Sequence, residues 1–177
     1  SNTKEVIISK EFERLSELSG IDGVLFDVLR NENEIFKKMD PTILNRVFLA
    51  LGFNPKPDLK LNSSQFSKVL KFTILRKVTV RELLDFLLKF FTLGETQLLK
   101  ENFLRILRIL SENFEEEDDL AIEGKKSLFT FFEENFYLTE VLRPTSEFVD
   151  LDKFRAAFLS LQMNPHDIYE LIFSPCH

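Results

Sequence analysis

The sequence has no Trp, two Tyr, one Cys, two His and five Gly, and each shortage removes a class of function. Cys176 lies next to the C-terminus with no second Cys for an internal disulfide, which favours a reducing compartment. It stands beside His177, but a Cys-His nucleophile needs a rigid scaffold and a third group to orient it, which a chain end does not supply. His166, at the start of the last helix, reads likewise as a solvent-exposed residue. Five Gly leave no Gly-rich phosphate cradle, and neither a His-Glu-x-x-His zinc pattern nor a Gly-x-Ser-x-Gly elbow occurs. The apolar runs are short and broken by charge, far from the roughly 20 residues of a membrane span. Cations are also scarce: 23 Lys and Arg face 29 Asp and Glu, a net charge of −6 with no basic cluster to grip nucleic acid or anionic lipid. The residues therefore predict no catalytic centre, no cofactor and no nucleic acid partner.

What is present is Phe. Twenty of the 177 residues are Phe, a side chain without a polar handle, so about four-fifths of these rings belong in a core and the rest against a partner. The length and a hydrophobic content of 44% suit one large domain or two small lobes.

Apolar residues recur at helical spacing nearly throughout, and no stretch alternates as a half-buried strand does, so the fold class is all-α. Phe12, Leu15 and Leu18 mark a first helix, capped at Ser9. Asp40-Pro41 opens another, because Asp caps free amides and Pro fits the first turn; Leu44, Val47, Phe48 and Leu51 give its stripe and Gly52 stops it. After a loop with two Pro residues, Ser63 can cap a helix bearing Phe66, Val69 and Leu70. Thr79 and Glu82 form a capping-box pattern ahead of Leu83, Leu87, Phe90 and Phe91. Further helices carry Phe103 to Leu110, Leu128 to Phe136, and Phe154 to Leu161, and Asn164-Pro165 launches a short last one. The acid run from Glu115 to Asp119 reads as an exposed linker.

Four positions repeat a pattern: Phe26, Phe66, Phe103 and Phe154 each begin an apolar helix face, and each follows an aliphatic residue by five positions, namely Ile21, Leu61, Leu98 and Val149. This resembles the EF-hand family, in which an aliphatic residue at loop position 8 pairs two loops and a Phe after position 12 begins the exiting helix. The order of elements from Phe12 to Phe158, including Arg46-Val47-Phe48 and the acidic run before the last unit, is most similar to the neuronal calcium sensor and calaxin-like branch. The resemblance implies two lobes of paired helix-loop-helix units, 1–76 and 77–177, the second with an acidic insert near 112–124.

It also implies that the calcium chemistry is lost. Calcium needs six to eight oxygens, including a bidentate Glu at position 12, and the matching residues here are Leu25, Gln65, Asn102 and Lys153. No calcium is therefore expected. What an EF-hand pair keeps is a groove for an amphipathic helix. The helix from Leu83 to Phe91 is apolar nearly all round, which makes Phe72, Ile74, Phe86, Phe90 and Phe91 the groove candidates.

The functional expectation is a calcium-independent adaptor or light-chain-like subunit that clasps an amphipathic helix of a larger protein. The calaxin-like resemblance implies a cytoplasmic home in a cytoskeletal or ciliary assembly, since members of that branch dock axonemal dynein. The alternative is a regulatory subunit of a phosphatase or kinase, in the manner of calcineurin B-like proteins. The chain opens Ser1-Asn2 without Met, a pattern that reads as a protease scar.

Overall fold

A computed structural model describes residues 2–75, 78–115 and 127–173, with the side chains of Asn2, Ile74, Leu75 and 113–115 excepted. Among the described residues there are nine α-helices, and the only strands are two of two residues each. The chain divides into two compact units, Ser1–Thr79 and Val80–Pro175.

The first unit contains α1 (Asn2–Ser19), β1 (Val24–Leu25), α2 (Phe26–Glu32), α3 (Pro41–Ala50), β2 (Lys60–Leu61) and α4 (Ser63–Leu70). Helix α1 starts well before Ser9, which lies inside it rather than at its cap. A 3₁₀ turn, Phe36–Lys38, links α2 to α3, and α4 runs on into a π-helical turn, Lys71–Leu75. Asp40 caps α3 as its sequence predicts, accepting from the amides of Thr42 at 2.9 Å and Ile43 at 3.2 Å, with Pro41 at the first position. The cap of α4 is Asn62, one residue before the expected Ser63. Asn62 has Gln65 three residues on, so the two side chains satisfy each other's backbone amides at 2.8 and 2.9 Å; a Ser63 cap would forgo that reciprocity.

Helices α1–α2 and α3–α4 form two helix-loop-helix units whose loops pair through β1 and β2. The strands run antiparallel with Val24 opposite Leu61 and Leu25 opposite Lys60. Loop 2 also satisfies the open end of α2: the amides of Phe26 and Asp27 donate to the carbonyls of Leu59 and Pro57 at 2.8 and 3.3 Å. Between the helices lie Leu15, Phe26, Leu29, Phe48, Phe66 and Val69, all fully buried, with Phe26 and Phe48 edge to face at 4.8 Å.

The second unit contains α5 (Val80–Thr92), α6 (Lys100–Glu115), α7 (Leu128–Leu138), α8 (Leu151–Leu159) and α9 (Pro165–Phe173). Here too two helix-loop-helix units, α5–α6 and α7–α8, join at their loops. An antiparallel bridge sets Leu99 opposite Phe148, with the Val149 amide on the Leu98 carbonyl and the Lys100 amide on the Glu147 carbonyl, both 2.8 Å. Phe91, Phe103, Phe136, Phe154 and Phe158 form a connected aromatic core: Phe103 lies 4.8 Å from Phe91 and 5.0 Å from Phe136, and Phe154 lies 4.8 Å from Phe158. Helix α9, opened by Asn164-Pro165 as expected, packs against α5 and α6. The acidic segment extends α6 as far as Glu115, and its remainder lies outside the described residues, as do Cys176 and His177.

Two substitutions test this packing. Gly23 has φ +133°, and a Cβ there would sit 3.0 Å from the Leu61 carbonyl oxygen and 2.9 Å from the Lys60 chain, whereas Gly52, at φ +94°, faces open space. Gly23→Ala should therefore cost clearly more than Gly52→Ala, by about 1–3 kcal/mol in urea unfolding, because it forces the β1–β2 pair apart. Phe103→Ala should cost about 3–5 kcal/mol, read as a lower melting temperature, because the ring has no exposure and its removal leaves a cavity in the core.

Candidate functional site

Each loop pairing places one aliphatic residue two positions before its exit helix. Those residues are Val24, Leu61, Leu98 and Val149, all buried. The fourth helical residue after each is Leu29, Phe66, Phe103 or Phe154, and these are fully buried or 1% exposed. In three units this buried residue is the one the spacing suggests, although in the second pair of loops the bridge itself joins the neighbouring Leu99 and Phe148. In the first it is Val24, since Ile21 is 39% exposed and outside the ladder. The register of that unit lies three residues later, and the residue matching Gln65, Asn102 and Lys153, third in its helix, is Val28 rather than Leu25.

The loops are closed by side chains of the chain itself. In loop 1 two serines of α1 do this. Ser16 Oγ donates to the Ile21 carbonyl at 2.9 Å and accepts from the Gly23 amide at 3.1 Å; Ser19 Oγ donates to the Leu15 carbonyl at 2.7 Å and accepts from the Leu25 amide at 3.1 Å. In loop 2 the Lys68 ammonium donates to the Leu51 carbonyl at 3.4 Å and lies over the Phe53 ring. Loop 3 is short, Leu93 to Leu99, and turns through Leu93 and Gly94 at positive φ, with Thr92 Oγ1 accepting from the Gly94 amide at 3.3 Å.

Loop 4, Thr139 to Asp150, is the most charged. Three cations address its oxygens. The Lys100 ammonium donates to the carbonyls of Arg143 at 3.0 Å and Pro144 at 3.5 Å. The Arg143 guanidinium donates to Asp150 at 2.7 Å, and Lys153 faces Glu140 at 3.9 Å. Asp150 also caps α8, accepting from the Lys153 amide at 3.0 Å. Lys153, third in α8, thus brings a positive charge to the exit of loop 4. Among the described residues no group of three or more His, Cys, Asp or Glu is placed to hold a metal ion, and no helix is long and apolar enough to cross a membrane.

The groove expected from Phe86, Phe90 and Phe91 is filled. These rings are 3%, 0% and 3% exposed; Phe86 meets Phe173 of α9 at 5.9 Å, and Phe91 meets Phe103 at 4.8 Å and Phe154 at 6.1 Å. A helix apolar nearly all round is core here, because α9 covers the side of α5 that its own hairpin leaves open. Phe72 belongs to the other unit, where it is half-buried in the π-helical turn, and the side chain of Ile74 lies outside the described residues.

The outward-facing aromatics are elsewhere. Fourteen of the nineteen Phe side chains described are buried, and two are exposed: Phe131, on α7, at 49% and Phe148, in loop 4, at 40%. Phe131 and Phe132 are neighbours on α7, and of the two only Phe132 turns inward. Lys100 gave no signal in the sequence, because only the folded loops bring it to Arg143.

Lys100→Met keeps the length of the side chain and removes its charge. The two loop-4 carbonyls then lose their donor, and stability should fall by about 1 kcal/mol, seen as a lower melting temperature at unchanged helix content. Against this geometry, no family model matches the sequence, and no curated protein and no solved structure matches it significantly.

Proposed function

We propose that the chain is a calcium-independent adaptor, a light-chain-like subunit built as two degenerate EF-hand pairs, that holds an amphipathic helix of a larger protein. The observation that carries the reading is the loop chemistry: the oxygens of loop 4 are met by Lys100, Arg143 and Lys153. Calcium requires six to eight oxygens with strong anionic character. The third residue of each exit helix is Val28, Gln65, Asn102 or Lys153, none of them a carboxylate. The loop pairs are complete without a metal, so an adaptor of this kind is folded and competent at any calcium level. In calcium sensors the metal opens the groove; here the partner meets surfaces that are already formed.

The cytoskeletal or ciliary setting rests on resemblance to the calaxin-like branch. The alternative, a regulatory subunit of a phosphatase or kinase, shares the same geometry and differs only in what it holds. Affinity capture of the chain from its source cells, followed by mass spectrometry, separates them. Tubulin, dynein or myosin chains among the recovered proteins support the adaptor, and a recurrent kinase or phosphatase catalytic chain supports the alternative. Calorimetric titration with calcium should give no heat. A dissociation constant of about 10 μM or tighter, the range of calcium sensors, would remove the reading of the loops.

A further inference from the structure

Helix α7 faces two ways. Phe129, Phe132 and Phe136 point into the second unit and are buried, whereas Phe131 is 49% exposed and Leu138, seven residues on, is 81% exposed. Seven residues are about two turns of helix, so these two side chains lie one above the other about 10 Å apart on the outer face. Phe131 also lines a groove of about 300 Å³ between α7 and α9, together with Leu128, Phe132 and Leu171 and the acidic Asp167 and Glu170 of α9. An exposed Phe and an exposed Leu on one stripe, next to an apolar groove, are an unfinished hydrophobic surface. Covering the two would remove apolar area from water that the fold itself leaves wet.

Charge identifies the occupant. The second unit, residues 80–175, carries ten Lys and Arg against nineteen Asp and Glu, a net −9, whereas residues 1–79 carry thirteen against ten, a net +3. The acid excess is thus confined to the unit that carries the stripe, and the groove itself is edged by two carboxyl residues. An acidic partner would be repelled from this face and a basic one steered to it. An anionic lipid surface is disfavoured on the same ground.

Resting on the helix-holding function proposed above, we infer that the α7–α9 face is the docking surface and that its occupant is a basic amphipathic helix. Apolar residues of that helix, one every second turn, would cover Phe131 and Leu138, and its Lys and Arg would meet Asp167 and Glu170. The aromatic core around Phe90 takes no part, so binding requires no opening of the unit.

The test is fluorescence anisotropy of the full chain with a labelled amphipathic peptide of Leu and Lys, and with a second peptide in which every Lys is Glu. The basic peptide should bind, more weakly as salt is raised, and the acidic peptide should not. Phe131→Ala with Leu138→Ala should weaken binding about tenfold or more, and Asp167→Asn with Glu170→Gln should weaken it and flatten the salt dependence. All four residues lie at the edge or outside of the unit, and an unchanged far-ultraviolet circular dichroism spectrum verifies that each variant folds. Equal binding of the acidic peptide, or binding of the basic peptide that neither double variant reduces, overturns this surface while leaving the helix-holding function standing. Binding of neither peptide overturns both. Sedimentation covers the remaining occupant: a dimer of the chain that Phe131→Ala disperses assigns the face to a second copy and overturns the inference.

Discussion

The antiparallel pairing of loops, Val24 with Leu61 in one unit and Leu99 with Phe148 in the other, is the constraint on which the remainder depends. A single helix-loop-helix unit has one apolar face and nothing to bury it against. Two units joined at their loops present those faces to each other, and the bridge fixes the register at which they meet. Because each exit helix starts two residues after a buried aliphatic residue at or next to the pairing, its fourth residue points inward. That is why Leu29, Phe66, Phe103 and Phe154, far apart in sequence, occupy equivalent buried places. Burying one such side chain stabilises by about 1.5–3 kcal/mol, more than a bridge hydrogen bond contributes net. The bridge is the weaker interaction, yet it decides whether the stronger one forms.

A loop that must pair at a fixed register needs something to hold its curvature. A divalent cation does this by drawing oxygens toward one point, and the chain achieves a similar end with its own donors. Ser16 and Ser19 bind loop 1 from the helix before it, while Lys100 reaches across from α6 to the carbonyls of loop 4. Covalently attached donors cannot leave, so on the proposed reading a loop closed this way would have no metal-dependent off state. Such a device suits a part that must be permanently assembled and does not suit a sensor, which is the physical basis for the adaptor proposal. The acidic excess of the second unit is a separate property, since the cations at loop 4 meet oxygens of that loop.

Much of the helical architecture was legible because local chemistry dictated it. Asp40-Pro41 and Asn164-Pro165, each followed by an apolar helical stripe, begin helices, and the absence of alternating segments excluded extended sheets. The misplacements arose where two residues were locally equivalent. Ile21 and Val24 are both aliphatic and both precede an apolar helix face, and only pairing with Leu61 chooses Val24. Ser63 and Asn62 can both cap, and Gln65 decides for Asn62. The burial of Phe86, Phe90 and Phe91 has a non-local source: α9, some eighty residues later, packs against α5. In the same way, the cationic closure of loop 4 depends on Lys100 and Arg143, which only the fold brings together.

The central claim is that the loop pairs close without a metal, and amide hydrogen exchange at the bridges tests it most directly. The informative amides are Phe26 at the first pairing and Lys100 and Val149 at the second, each donating across the loops. Exchange measured in chelator and again in millimolar calcium should be the same at all three, with protection already high in chelator. Protection that rises tenfold or more on adding calcium, or that is absent until calcium is added, would contradict the account, because the loops would then depend on the ion.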